Sequence, residues 1–224
     1  MTAPNYSLVI GTKRYSSWSL RPWLLMRQAG IAFNEEPIRL RQSDTAQQIL
    51  RHSPSGKVPA LKVTGGPHAG LLVWDSLAIC EWIAEQHAER QLWPLAAAAR
   101  AVARSAAAEM HSGFQALREH CPMDFNAKLA HHPVPDKVAG DIRRIVALWR
   151  HCRSDHAMQG PYLFGAFSVA DAMYAPVVSR FHSYLPSLAG YGDDGTAAAY
   201  VAQLMALPAM QAWGEDARRQ ETDD

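Results

Sequence analysis

"YSLVIGTKRYSSWSLRPWLLMRQAG", residues 6–30, decides how the rest of the chain is read. An apolar, β-branched run, "SLVI", leads into a turn crowded with Arg14, Ser16, Ser17 and Ser19, and then into an apolar stretch with helical spacing that ends at Gly30. A strand feeding a helix through a short polar turn opens an α/β layer. Ser17 or Ser19 is a natural N-cap for a helix from about Ser19 to Ala29, because a hydroxyl oxygen satisfies one of the first-turn N–H groups. Pro22 then falls where a missing N–H costs nothing. Capping explains one serine and leaves the others facing a helix N-terminus, where partial positive charge and hydroxyl donors together favour an anion. Turn-forming serines bonded to solvent are the plainer alternative.

Working outward, strand and helix signals continue to alternate: strand "FNEEPIRL", helix "DTAQQILRHS", strand "VPALKV", strand "LLVW" and helix "SLAICEWIAEQH", with a hairpin around "TGGPHAG". Beyond "RQLWPL" the β signal ends. "AARAVARSAAAEMHSGFQALREH", "KVAGDIRRIVALWRHC" and "TAAAYVAQLMAL" carry helical periodicity, "HHPVPDK" and "LPSLAGYGDDG" are loops, and a short acidic end, "ETDD", closes the chain. The expected organisation is an α/β domain over residues 1–88 and an all-helical domain over residues 89–224.

Composition narrows the function. The 224 residues are 48% hydrophobic and 19% charged, enough apolar material for one large core or two modest ones. A net charge of +1 gives no long-range attraction to nucleic acid or an anionic membrane, so neither partner is expected. Cys80, Cys121 and Cys152 are odd in number and widely spaced, which suits a reducing compartment. No leader-like start or long apolar run is present, so no membrane span or export signal is expected and the cytoplasm is the expected location.

Three further stretches bear on chemistry. In "SPSGKVPAL" Val58 precedes Pro59 at a strand start and is pushed to an extended conformation. A cis bond there would free the Val58 N–H and C=O for an extended ligand, while a trans proline at a strand's first residue is the local default. Lys57 is a solvated charge or a partner for a ligand carboxylate. In "WDSLAICEWIAEQ" Asp75 or Ser76 caps a helix, or the two clamp a ligand's ammonium and carboxylate. In "FSVADAMYAPVV" Ser168 and Asp171 form a capping box, with Phe167 placed to staple onto Ala172 or a neighbour. No GxSxG elbow supports serine hydrolysis. His52, the pair His131 and His132, and His151 beside Cys152 have no metal-site spacing, so no metal is expected.

In order and spacing these pieces resemble the soluble glutathione S-transferases across nearly the whole chain. "YSSWSLRPW" is similar to the Ser-Ser-x-Ser-x-Arg stretch of the serine-type classes, especially zeta; "GKVPAL" to the family's cis-proline strand; "WDS" to its acid-serine pair; and "FSVADAMYAP" to its capping box and staple. The resemblance implies a thioredoxin-like N-terminal domain, an all-α C-terminal domain, a homodimer, and glutathione as cosubstrate with a small electrophile. By position it implies Ser16 as the catalytic serine with Ser17 as its near alternative, Val58 and Pro59 at the cysteinyl unit, Lys57 near the glycyl end, and Asp75 with Ser76 on the γ-glutamyl group. Trp18 stands where the zeta motif has cysteine and Pro22 where it has valine, so zeta-type isomerisation is not implied. The first-helix motif has no cysteine, so mixed-disulfide chemistry is not implied either.

The implied chemistry is of adequate size. Taking a thiol from about pKa 8.5 to about 6.5 needs ~2.7 kcal/mol. A hydrogen bond to a charged group supplies ~1.5–3 kcal/mol and a helix N-terminus roughly 0.3–2 kcal/mol. A serine hydroxyl donating to the sulfur would thus suffice without a protein base. A non-catalytic glutathione-binding or interaction module on the same fold is the alternative. Trp18, Met110 and Phe114 are candidates for an apolar wall against the second substrate, core packing being the alternative for the last two.

Overall fold

The structure is a computed structural model, and it describes residues 5–222; Asp223 and Asp224 of the acidic end lie outside them. Strand β1 (Tyr6–Gly11) pairs in parallel with β2 (Asn34–Ile38) and antiparallel with β3 (Ala60–Val63), and β4 (Leu72–Trp74) pairs antiparallel with β3. The order is β2-β1-β3-β4. Pro37, which cannot donate to a ladder, sits on the edge strand β2.

The alternation of β1 explains the layers. Leu8 and Ile10 enter the large core, while Val9 points the other way into a small cluster with Ile38, Ile49 and Ala60. Helices α1 (Ser17–Gln28) and α3 (Ser76–Gln86) therefore cover one face and α2 (Thr45–Leu50) the other. This is a thioredoxin-like arrangement, and a helical region follows it. That region comprises α4 (Ala97–Ser112), α5 (Gln115–His120), α6 (Asp136–His156), α7 (Val169–Tyr184), α8 (Thr196–Met205) and α9 (Pro208–Thr222). Every residue of α7 except His182 is buried, as expected of a helix apolar on all sides. It packs against α1, α4 and α8, and one continuous core runs from the sheet into the helices. Among the described residues no helix is long and apolar enough to cross a membrane.

Three expectations are corrected. The first helix starts at Ser17, so Ser19 lies inside it and caps nothing: its Oγ accepts from Gly11 N–H at 3.1 Å. Ser17 is its first residue and not its cap, and the N-cap position, Ser16, makes no side-chain capping bond. Pro22 sits within this helix, where its missing N–H leaves the Trp18 carbonyl without the usual partner. The long periodic stretch over residues 98–120 is two helices, broken where Phe114 adopts a left-handed φ of 57°. Gly113 is required at that break, because a Cβ there would stand 2.7 Å from the Glu109 carbonyl oxygen.

The cap in the helical region has the expected form. The Asp171 carboxylate accepts from Ser168 N–H at 2.8 Å, and the capping box is present. Phe167 meets the ring of Tyr162 edge-on and packs against the large core.

Candidate functional site

The start of α1, the segment before β3 and the turn between β4 and α3 converge on a cavity of about 660 Å³. Ser16, Trp18, Lys57, Val58, Pro59, Asp75 and Ser76 all line it, together with His111 from the last turn of α4. Ser17, buried one residue along, does not. Met110 and Phe114, candidates for its apolar wall, are buried in the core. A one-residue step along a helix turns the side chain by about 100°, so His111 faces the cavity where Met110 cannot.

Each wall residue is held by local bonds. Ser16 Oγ donates to Ser19 Oγ at 2.7 Å, and Ser19 accepts in turn from Gly11 N–H, so the serines form a chain from the end of β1 to the cavity. The first turn of α1 carries no acidic side chain, which leaves its positive dipole end uncompensated on the side of the cavity. The Val58–Pro59 bond is cis. Lys57 is exposed and has no ion-pair partner among the described residues.

Asp75, with φ 74°, is the N-cap of α3: its Oδ1 accepts from Leu77 N–H at 2.9 Å and Ala78 N–H at 3.3 Å. Its Oδ2 lies 3.2 Å from His111 Nε2. Capping uses one oxygen and one residue, so the buried Ser76 keeps its hydroxyl and N–H for another purpose.

The electrostatics are dominated by cations behind the wall. The guanidinium of Arg21, fully buried, lies 4.0 Å from the centre of the Trp18 ring, and that of Arg118 lies 5.2 Å from it. Burial, with Arg180 and Arg118 nearby, pulls Arg21 down to about 9, so it is still charged at neutral pH. Burial likewise pushes the His111 pKa below the ordinary histidine value; Asp75 opposes this and the two arginines add to it.

A serine, a histidine and an aspartate in one cavity invite comparison with a hydrolase triad, but the bonds are wrong for one. Ser16 is bonded to Ser19, His111 Nε2 faces Asp75, and His111 Nδ1 is buried without a hydrogen-bond partner, so no base is aimed at Ser16. Nor is a protein thiol at hand. Cys80, Cys121 and Cys152 are all buried; burial pushes Cys121 up to about 11, Cys152 up to about 12 and Cys80 higher still. A reactive sulfur here has to arrive with a ligand.

A second cavity, about 680 Å³, lies between α6 and α8. Its two arginines are already engaged, Arg150 with Asp194 and the Gly192 carbonyl, Arg153 with the carbonyls of Gly160 and Tyr162. Among the described residues no cluster of three or more His, Cys, Asp or Glu side chains could hold a metal ion.

Two features of the first cavity had weak signals in the sequence. Arg21 is a charge inside an apolar helical run, which on its own marks either a snorkelling surface residue or a buried cation. His111 is one more histidine among ten until α4 is laid across the cavity.

Comparison with known proteins fits this geometry. Residues 15–86 match the model of the glutathione S-transferase N-terminal domain. A pyrimidodiazepine synthase of Drosophila melanogaster is 33% identical over 81 residues, which is 36% of this chain and 32% of that relative, so the match spans about a third of the curated protein. A glutathione transferase homologue from Burkholderia, solved with bound glutathione, superposes with a TM-score of 0.67 at 19% identity, covering 96% of this chain and 99% of that one. Glutathione transferase Omega 2S from Trametes versicolor, solved with 2,4-dihydroxybenzophenone, gives 0.68 at 20% identity over 97% of this chain and 98% of its own. These two share the fold from the first strand to the last helices. Residues 15–86 thus form a glutathione S-transferase N-terminal domain, and along its described length the chain shares the fold of these two glutathione transferases.

Proposed function

We propose that the protein is a glutathione transferase in which the Ser16 hydroxyl holds the glutathione sulfur as a thiolate for attack on a small electrophile. The observation that carries this reading is the convergence on one cavity of Ser16, the acid-free N-terminus of α1, the cis Val58–Pro59 segment and the Asp75–Ser76 pair. Support also comes from the glutathione-bound Burkholderia homologue of the same fold.

In this reading the Val58 backbone pairs with the cysteinyl unit. Lys57 meets the glycyl carboxylate, Asp75 Oδ2 the γ-glutamyl ammonium, and Ser76 the γ-glutamyl carboxylate. The thiol proton leaves to water, and the Ser16 hydroxyl turns from Ser19 to donate to the sulfur. The thiolate then forms a carbon–sulfur bond, and the displaced electron pair departs with a leaving group or is protonated by solvent. Trp18 and His111 form the wall on the side of the electrophile. We further propose a homodimer working in the cytoplasm, the dimer to be checked by sedimentation equilibrium.

The test is a thiolate-absorbance titration of bound glutathione. Ser16→Ala is expected to raise the thiol pKa by about one unit or more, with affinity nearly intact, since a charge-assisted hydrogen bond of ~1.5–3 kcal/mol is lost. An unchanged titration in Ser16→Ala with a shift in Ser17→Ala would move the role by one residue. Retention on immobilised glutathione without turnover of halogenated aromatics, epoxides, unsaturated carbonyls or peroxides would make the protein a binding module instead.

A further inference from the structure

We propose that Arg21 is a positioning residue for glutathione, acting through Ser76 to draw the ligand's γ-glutamyl carboxylate into the cavity; this rests on the reading above. The guanidinium is fully buried, yet it pairs with no carboxylate among the described residues. Its Nη1 makes one long contact, 3.5 Å, to Ser76 Oγ, while Nε and Nη2 have no hydrogen-bond partner. The other charges around it are Arg118 and Arg180, both of like sign, and Asp75. Asp75 makes no bond to the guanidinium: one oxygen accepts from the α3 N–H groups and the other faces His111.

A buried cation without a counter-charge is costly and needs a compensating anion. No carboxylate among the described residues pairs with it, and the two groups that separate the guanidinium from the cavity, the Trp18 ring and the Ser76 hydroxyl, are themselves its wall. The anion therefore comes from the cavity side. Ser76 is the point of transmission: with Arg21 donating to its oxygen, its own proton is turned toward a ligand acceptor, and donation into a hydroxyl strengthens the bond that hydroxyl makes. The Ser76 N–H at the first position of α3 adds a second donor on the same side. A carboxylate is the class of group that two convergent donors backed by a cation recognise.

The experiment is calorimetric titration of the full-length protein with two ligands, glutathione and its analogue lacking the γ-glutamyl carboxylate (4-aminobutanoyl-cysteinyl-glycine). Arg21→Met is expected to weaken glutathione about tenfold or more and to change the analogue less than about twofold. Arg21→Lys, which keeps the charge, should stay within about threefold of wild type for both. Should the methionine variant not fold, Arg21→Gln removes the charge and keeps a hydrogen-bonding head, with the same ligand-selective loss expected. Adding Arg21→Met or Arg21→Gln to Ser76→Ala should bring little further loss, because the effect passes through the serine. Equal weakening of both ligands, or additive losses in the double variant, overturns the role of Arg21 while leaving glutathione binding in place. Failure of the wild-type protein to bind glutathione overturns the parent reading as well.

Discussion

Ser19 shows what a residue's neighbours add to its place in the sequence. Three serines in one turn pointed to a cap plus an anion site; the structure gives no serine the cap and makes Ser19 a relay between Gly11 N–H and Ser16 Oγ. In the proposed mechanism Ser16 would turn its proton to the sulfur, Ser19 would be left to donate to Ser16, and chained hydroxyls polarise one another. Ser19→Ala is therefore expected to raise the pKa of bound glutathione, but by less than Ser16→Ala, measured by the same absorbance titration; a shift as large as that of Ser16→Ala would make Ser19 the primary donor. Local pattern located Ser16, Lys57, Val58, Pro59, Asp75 and Ser76 at strand and helix ends, and it was the family resemblance that implied their meeting around one cavity. Arg21 and His111 were not, since their meaning depends on what a distant element places opposite them.

Among the elements, α7 is the one whose anchoring decides most. Its capping-box acid Asp171 is buried and accepts from Leu163 N–H and Tyr200 Oη on one oxygen, and from Ser168 N–H and Ser168 Oγ on the other. Burial pushes its pKa up to about 6 against the pull of these donors. A carboxyl raised above its ordinary value binds its proton more tightly folded than unfolded. Its contribution to stability is therefore full below about pH 4 and is lost as pH rises through about 6. Asp171→Asn removes this titration and turns an amide donor toward donors, a cost of roughly 1–3 kcal/mol. Urea unfolding from pH 4 to 7 should show wild type more stable throughout, with its advantage over the variant narrowing as pH rises; a widening advantage would mean that the donors outweigh burial. The capping box itself could be read from "FSVAD", because a cap is a local pattern. Helix α9 could not: its signal is Pro208 at the first helical position and a mixed polar pattern that becomes meaningful only when Trp213 is buried.

At the scale of the molecule, the helical region grips the loop that carries Ser16. Trp213 Nε1 donates to the Lys13 carbonyl at 2.8 Å, and the Trp213 ring meets Trp23 at 5.0 Å. The buried Lys13 ammonium bridges Glu35 and Asp216. Arg14 pairs with Asp124. Both expected halves were visible as a change from alternating strand and helix signals to helical periodicity, but their shared core was not, because periodicity says which face is apolar and not what covers it. A fragment of residues 1–88 would expose the face of α1 that α7 and α9 cover. That fragment is expected to lack a cooperative fold by circular dichroism and NMR dispersion, and the full chain to unfold in one transition; a folded fragment would make the division after residue 88 a true boundary. The three sunken cysteines gain meaning on the same scale. Under the proposed function the protein would meet alkylating molecules throughout its working life, and since it offers them no exposed thiol of its own, the damage would fall on the borrowed peptide and leave with the product.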